Sequence, residues 1–277
     1  MHLSKNPRVL SKSTIAVVGG TGRMGRTLVR MLQSSGAKIV VCSRNPEKAT
    51  RLFDVETRKI GDVKDADIVV VSVPIDNTVT TCRQLLKRMK PQSLLVDATS
   101  VKKGIVDAID KCVPHNIEYL SIHPLFGPDV QDFREENVLA IARRAGPLTR
   151  SMLRFFSKCG MTTTHVTIDE HDRKTAVTQA LHHYAYASLA VCMNKLMNRK
   201  DFCRFSTRTL RKTIRLIQCF SENADTILDI QRKNPYAAFA RESFAKTVSS
   251  FSYMKSKKNR RIASVMKMFR ELPCAEG

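Results

Sequence analysis

The sequence contains no apolar run approaching the roughly 18 residues needed to span a bilayer. The stretch from Met1 to Thr14 is basic and polar and has no apolar core, so a secretory signal is not expected there. The eight cysteines (Cys42, Cys82, Cys112, Cys159, Cys192, Cys203, Cys219 and Cys274) are scattered, and none form the close pairs of zinc sites or redox motifs. A chain of 277 residues can bury a core without disulfide staples. The cysteines are therefore read as reduced, mostly buried small hydrophobes, and the expected location is the cytoplasm. No His/Asp/Glu spacing indicates a metal, and neither a P-loop nor a nucleophile elbow occurs. Internal repeats and long low-complexity linkers are missing as well.

Acidic residues are also scarce. There are 25 of them against 47 Lys and Arg, a formal net charge of +22. Such a surplus raises the prospect of nucleic acid, acidic surfaces or anionic substrates as partners. Part of it lies in Lys255-Ser256-Lys257-Lys258-Asn259-Arg260-Arg261. No aromatic interleaving or RNA-binding signature accompanies that stretch, so it is read as a solvated basic helix face.

What is present is a soluble globular composition, 43% hydrophobic and 26% charged, which argues against wholesale disorder. The first part alternates short apolar runs with amphipathic stretches. Strands are expected at Thr14–Val18, Lys38–Cys42, Asp67–Val73 and Ser93–Val96, with further candidates at Tyr119–Ile122 and Val138–Ala142. Continuous β-branched runs separated by helices imply parallel strands covered on both faces. After about Thr167 long helical patterns take over, at 171–197, 207–230, 236–251 and 261–272. The expected architecture is α/β: a Rossmann-type parallel sheet over residues 1–168, followed by an all-helical domain over 169–277.

The strongest motif is Gly20-Thr21-Gly22-Arg23-Met24-Gly25, directly after the first strand and opening a helix. Gly20 permits the tight turn, Gly22 lets the backbone approach a pyrophosphate, and Gly25 lets helix and strand pack closely. The helix N-terminus then offers N–H groups and a positive dipole to the anion. At the end of the second strand, an acid would hold the ribose hydroxyls of NAD. This sequence has Cys42-Ser43-Arg44 instead, and Ser43 and Arg44 suit the 2′-phosphate of NADP. Ser72, Val73 and Pro74 form a cofactor-lining turn after the third strand. Ser100 and His123 follow the fourth and fifth strands, at the sheet edge where ligands bind in such folds. His123, with an ordinary pKa near 6.5, suits proton transfer. A structural role for His123, and an N-cap role for Ser100, are the alternatives.

The stretches Gly19–Gly25, Asp97-Ala98-Thr99-Ser100-Val101-Lys102 and His123-Pro124-Leu125-Phe126-Gly127-Pro128, with Glu170-His171-Asp172 and Gln179-Ala180-Leu181-His182-His183, together resemble the prephenate/arogenate dehydrogenases. That resemblance implies NADP-dependent oxidative decarboxylation of prephenate or arogenate, on the route to tyrosine. It implies that His123 meets the ring hydroxyl with help from Ser100, that His183 and Gln179 face the substrate, and that the helical domain forms a homodimer. The sequence departs from the family where an Arg normally grips a substrate carboxylate. Gln218 occupies that position, and Arg215, one turn earlier, or Arg211 or Arg208, is the expected substitute. The opening also resembles deazaflavin-dependent NADP reductases, which do not account for the Ser100 and His123 turns. A regulator that binds NADP or nucleic acid is the remaining alternative.

Overall fold

The computed structural model describes residues 10–251 and 256–270. The chain forms two compact units, Met1–Thr175 with Asn223–Pro235, and Ala176–Glu222 with Tyr236–Gly277. The first unit thus extends past residue 168 and takes in a segment far along the chain. The start of the chain, the close of the last helix at Leu272, Cys274 and the side chains of the basic stretch 255–261 lie outside the described residues.

The first unit is built on an eight-stranded sheet in the order β3-β2-β1-β4-β5-β6-β7-β8. Its strands are β1 (Thr14–Val18), β2 (Lys38–Ser43), β3 (Glu56–Lys59), β4 (Ile68–Val71), β5 (Leu94–Asp97), β6 (Glu118–Pro124), β7 (Asn137–Arg144) and β8 (Thr162–His165). β4 and β5 are buried at every position, as their unbroken apolar runs require. Alternate residues feed two cores. Ile15 and Val17 join the layer of α1 (Arg23–Gln33), α2 (Pro46–Thr50) and α5 (Pro147–Lys158), while Ala16 and Val18 join the layer of α3 (Ile75–Leu86). The strand order reverses between β1 and β4, the crevice where dinucleotides bind in sheets of this kind.

Two features depart from an all-parallel reading. β7 runs antiparallel to β6, because the intervening residues 125–136 contain no crossover helix to return the chain to the starting end. β3 and β8 are edge strands with little apolar content, so their sequences give no core signal. β3 carries the ion pairs of Arg58 with Glu56 and Asp65, a charged edge that resists pairing with other chains.

The second unit is helical. It comprises a π-helical turn at Ala176–Leu181, then α7 (His182–Leu196), α8 (Arg199–Phe205), α9 (Arg208–Ser221), α11 (Ala237–Phe251) and α12 (Ser256–Arg270). The long helical pattern at 171–197 is therefore divided. α6 (Ile168–Thr175) belongs to the first unit, the π turn follows, and α7 completes it. The pattern at 207–230 breaks around Glu222-Asn223, and α10 (Ala224–Lys233) buries Ile230 in the first unit. Of the seven described cysteines, all free, only Cys42 and Cys82 are buried. The expectation that most are buried is corrected here: Cys112, Cys192, Cys203 and Cys219 lie on outer helix faces or helix ends. No helix among the described residues is long and apolar enough to cross a membrane. Among these residues no group of three or more His, Cys, Asp or Glu is placed to hold a metal ion.

Candidate active site

The glycine loop sits at the carboxyl end of β1. Gly19 has φ +84°, and a Cβ there would lie 2.1 Å from the carbonyl oxygen of Ser72, so the β1 and β4 turns touch backbone to backbone. A Cβ on Gly25 would lie 2.1 Å from the Gly19 oxygen, which fixes that position as glycine for packing reasons alone. Gly22 is different. Its φ is −68°, and an added Cβ would meet only the Gly19 oxygen, at 3.3 Å. A side chain there would require the neighbour to give by only a few tenths of an ångström, so packing constrains Gly22 far less than Gly25. α1 begins at Arg23 with no side-chain cap and no acid in its first turn, an arrangement suited to a pyrophosphate. Thr21 and Met24 complete the loop. Arg23 pairs with Asp129 at 3.0 Å, and Thr27 donates to the carbonyl of Pro128, so the loop after β6 is latched to the first turns of α1.

The ends of the neighbouring strands carry the other expected residues. Ser43 is buried at the end of β2 and accepts a hydrogen bond from the Asn45 N–H at 3.1 Å. Arg44 is exposed just beyond it, with no acid at the strand end. Ser72 and Val73 are half-buried, and Pro74 precedes α3. Ser100 is half-buried between β5 and α4 (Ile105–Asp110); Gly104, not Ser100, is the N-cap of α4, which removes the capping explanation.

His123 lies near the end of β6 and is only 3% exposed. Its Nδ1 is 2.8 Å from Nε2 of His171 on α6, and Nδ1 of His171 is 2.7 Å from Oδ1 of Asp172. The Asp172 carboxylate also accepts the backbone N–H groups of Lys102 at 3.0 Å and Lys103 at 2.8 Å. α10 closes this cluster, since Asn234 donates to the Asp172 carbonyl at 2.8 Å. Beneath it Lys102 is fully buried, and its three ammonium protons meet three acceptors: Ser121 Oγ at 2.7 Å, the Ile122 carbonyl at 2.7 Å and Asp97 Oδ1 at 3.4 Å. Tyr119 donates to the other oxygen of Asp97 at 2.8 Å. This buried pair ties β5 to β6 immediately before His123, whose backbone it thereby holds. Burial pushes the His123 pKa well below the usual histidine value, and neighbouring His171 and Lys102 push it the same way. Burial also lowers the His171 pKa, against the opposing pull of Asp172. Lys102 is lowered by burial too, with Asp97 opposing.

In the second unit, Gln179 falls in the π-helical turn, a geometry common at functional sites. His183 follows at the start of α7, its ring edge-on to Phe220 with centroids 4.8 Å apart. Its Nδ1 is buried without a hydrogen-bond partner, and burial lowers its pKa to about 4. Arg215 and Gln218 are both exposed on α9.

Two family models match in chain order: the prephenate dehydrogenase nucleotide-binding domain over residues 28–138, and the prephenate dehydrogenase dimerization domain over residues 167–270. The chain belongs to the prephenate/arogenate dehydrogenase family. It is 26% identical to a probable arogenate/prephenate dehydrogenase of Methanocaldococcus jannaschii, over 89% of this chain and 58% of that protein. It is 25% identical to a 4-amino-4-deoxyprephenate dehydrogenase of Streptomyces pristinaespiralis, over 83% of this chain and 80% of that one. A solved prephenate dehydrogenase of A. aeolicus, in complex with hydroxyphenyl propionate and NAD+, superposes with a TM-score of 0.77 at 18% identity, covering 95% of this chain and 98% of that one. The chain spans about half the length of several curated relatives that it matches, 58%, 55% and 43%.

In this family member His123 is legible in the sequence, whereas the parts played by His171, Asp172, Asp97, Lys102 and Asn234 emerge only from the fold. The adjacent pair His171-Asp172 was the available signal. The lowered histidines have a measurable consequence. In the unfolded chain the rings of His123, His171, His182 and His183 bind protons below about pH 6.5, while burial in the folded protein opposes their protonation. Stability from this source is complete above about pH 6.5 and is lost progressively as the pH falls from there toward the lower folded-state values. The urea midpoint is expected to be lower at about pH 5.5 than at about pH 7.5, and His123→Asn is expected to flatten that slope. An unchanged slope in the variant would show that His123 is not among the groups responsible.

Proposed function

We propose that the protein catalyses the oxidative decarboxylation of prephenate or arogenate in tyrosine biosynthesis, with NADP+ as hydride acceptor. The observation that carries this reading is a buried histidine, held by a second histidine and an aspartate, on the same sheet edge as a dinucleotide cradle. The oxidised nicotinamide, when bound, supplies the hydride acceptor. Gly20, Gly22 and the N-terminus of α1 hold its pyrophosphate, and Ser72, Val73 and Pro74 line its path. His123 accepts the proton of the ring hydroxyl as hydride leaves the same carbon. Carbon dioxide departs with its bond electrons entering the ring, and the proton returns to the phenolic oxygen. Ser100 donates to or accepts from that oxygen. Aromatisation supplies the driving force, so alignment and the handling of one proton are the chain's tasks.

The family resemblance supports substrate contacts from Gln179 and His183, and a dicarboxylate requires a cation, for which Arg215 takes the place left by Gln218. The dimerization-domain match supports a homodimer through the helical unit. Exposed apolar side chains there, such as Leu196 at 81% and Phe239 at 73%, favour a covering second copy. A cytoplasmic location agrees with the free cysteines. The test is turnover: full-length protein, prephenate, arogenate or the 4-amino analogue, and each nicotinamide cofactor, read by absorbance of the reduced nicotinamide. No reduction with any of them would refute the proposal.

The choice of NADP over NAD rests on Arg44, since a guanidinium meeting the 2′-phosphate contributes about 1.5–3 kcal/mol. Arg44→Ala is therefore expected to lower the NADP-to-NAD ratio of kcat/KM by about ten- to a hundredfold. An unchanged ratio would remove Arg44 from the site.

A further inference from the structure

Hydrogen-bond direction can be followed through the buried chain from Asp172 to His123. A carboxylate only accepts, and Asp172 already receives two backbone N–H groups, from Lys102 and Lys103. The 2.7 Å contact therefore places a proton on Nδ1 of His171. A neutral His171 then offers a bare Nε2, and the 2.8 Å contact to His123 is closed by a proton on Nδ1 of His123. That leaves Nε2 of His123 unprotonated. If the order were reversed, with His171 donating from Nε2, a neutral His123 would carry its proton on Nε2 and would be a donor at the very atom required to accept.

We propose that His171 is a positioning residue: with Asp172 it holds His123 in the Nδ1–H tautomer, so that Nε2 accepts the substrate proton, and it shares the positive charge while His123 is doubly protonated. The proton leaves the ring hydroxyl, forms the second N–H bond of His123 and returns to the product oxygen, so no proton is gained or lost. Burial keeps both rings neutral near pH 7, which leaves one proton per ring, as the hydrogen-bond order requires. The charged groups around the pair are Asp172 on α6, and Lys102 with its partner Asp97 at the end of β5. Lys102 opposes a cation here and Asp172 favours it, so the balance at His123 passes through His171. Asp172 is tied to the Lys102–Lys103 backbone and to Asn234, and all three members of the chain are at most 3% exposed. This inference rests on the proposed reaction only for its purpose; the tautomer is a property of the protein itself.

The test is long-range proton–nitrogen NMR of the full chain with 15N-labelled histidine. The seven imidazoles are told apart by single substitutions, His123→Asn and His171→Gln first. The expected result is the Nδ1–H pattern for both His123 and His171 in the unsubstituted protein. An Nε2–H pattern at His123 would overturn the proposal whether or not the protein turns over any substrate. Kinetics provide the second readout. His171→Leu is expected to lower kcat about a hundredfold with KM for substrate and cofactor nearly unchanged, whereas His171→Gln, whose amide oxygen can still accept from His123, recovers part of the loss. Equal kcat values for the folded Leu variant and the original protein would contradict the positioning role. Absence of turnover in the original protein would refute the proposed reaction and leave the tautomer assignment to stand or fall on the spectrum.

Discussion

Replacing His123 with Asn is expected to reduce kcat by about 10²- to 10⁴-fold while leaving cofactor binding intact. His123 sits near the end of β6, and Nδ1 of its ring is hydrogen-bonded to His171. Asn keeps polarity and can keep one hydrogen bond to His171, so the buried site is not left with an unpaired nitrogen. What it lacks is a basic nitrogen for the ring hydroxyl. Loss of kcat with unchanged dissociation constants for NADP+ separates this outcome from damage to the fold. A variant that retains activity within about threefold of the original would remove His123 from the chemistry.

The second large effect is expected at the glycine loop, where two substitutions differ in kind. Gly25→Ala places a Cβ 2.1 Å from the Gly19 carbonyl oxygen and 2.8 Å from Gly20 Cα, both backbone atoms that cannot swing away. α1 must retreat from β1, at a cost of about 1–3 kcal/mol of stability, and the cradle opens. Gly22→Ala meets only the Gly19 oxygen at 3.3 Å, so stability should change by less than about 1 kcal/mol. It is nonetheless expected to weaken the cofactor by about a hundredfold or more, because a methyl group occupies the path of the pyrophosphate. Urea denaturation and cofactor titration of the two variants check this. If Gly22→Ala binds NADP+ normally, the loop is a packing device and not a cradle.

Much of this architecture is visible in the sequence for identifiable physical reasons. β1, β4 and β5 are buried on both faces, so they appear as unbroken apolar runs, and Gly25 is required by a contact that no other residue survives. β3 and β8 are hidden because Glu56–Lys59 and Thr162–His165 are polar edge strands held by the ladder, with ion pairs of Glu56 and Arg58 added on β3. The direction of β7 depends on a connection without a crossover helix, which its own alternation does not reveal. The π turn at 176–181 lies inside a continuous run of helix-forming residues, and the break at Glu222-Asn223 separates two helices with no proline or glycine to mark it. The return of Asn223–Pro235 to the first unit is a long-range event carried by Ile230 and Asn234, single residues that no local window weights. The role of His171 is hidden for the same reason. It is separated from His123 by 48 residues and depends on a hydrogen-bond direction that only geometry supplies.

The fate of the hydrogen on the hydroxyl-bearing ring carbon decides the reaction. Prephenate and arogenate carrying deuterium on the hydroxyl-bearing ring carbon are incubated with the protein and NADP+, and the nucleotide and the gas phase are analysed by mass spectrometry. The expected result is deuterium on the reduced nicotinamide, carbon dioxide released in equal amount, and loss of both in His123→Asn. Reduced nicotinamide without deuterium, or carbon dioxide released without reduction, would contradict it.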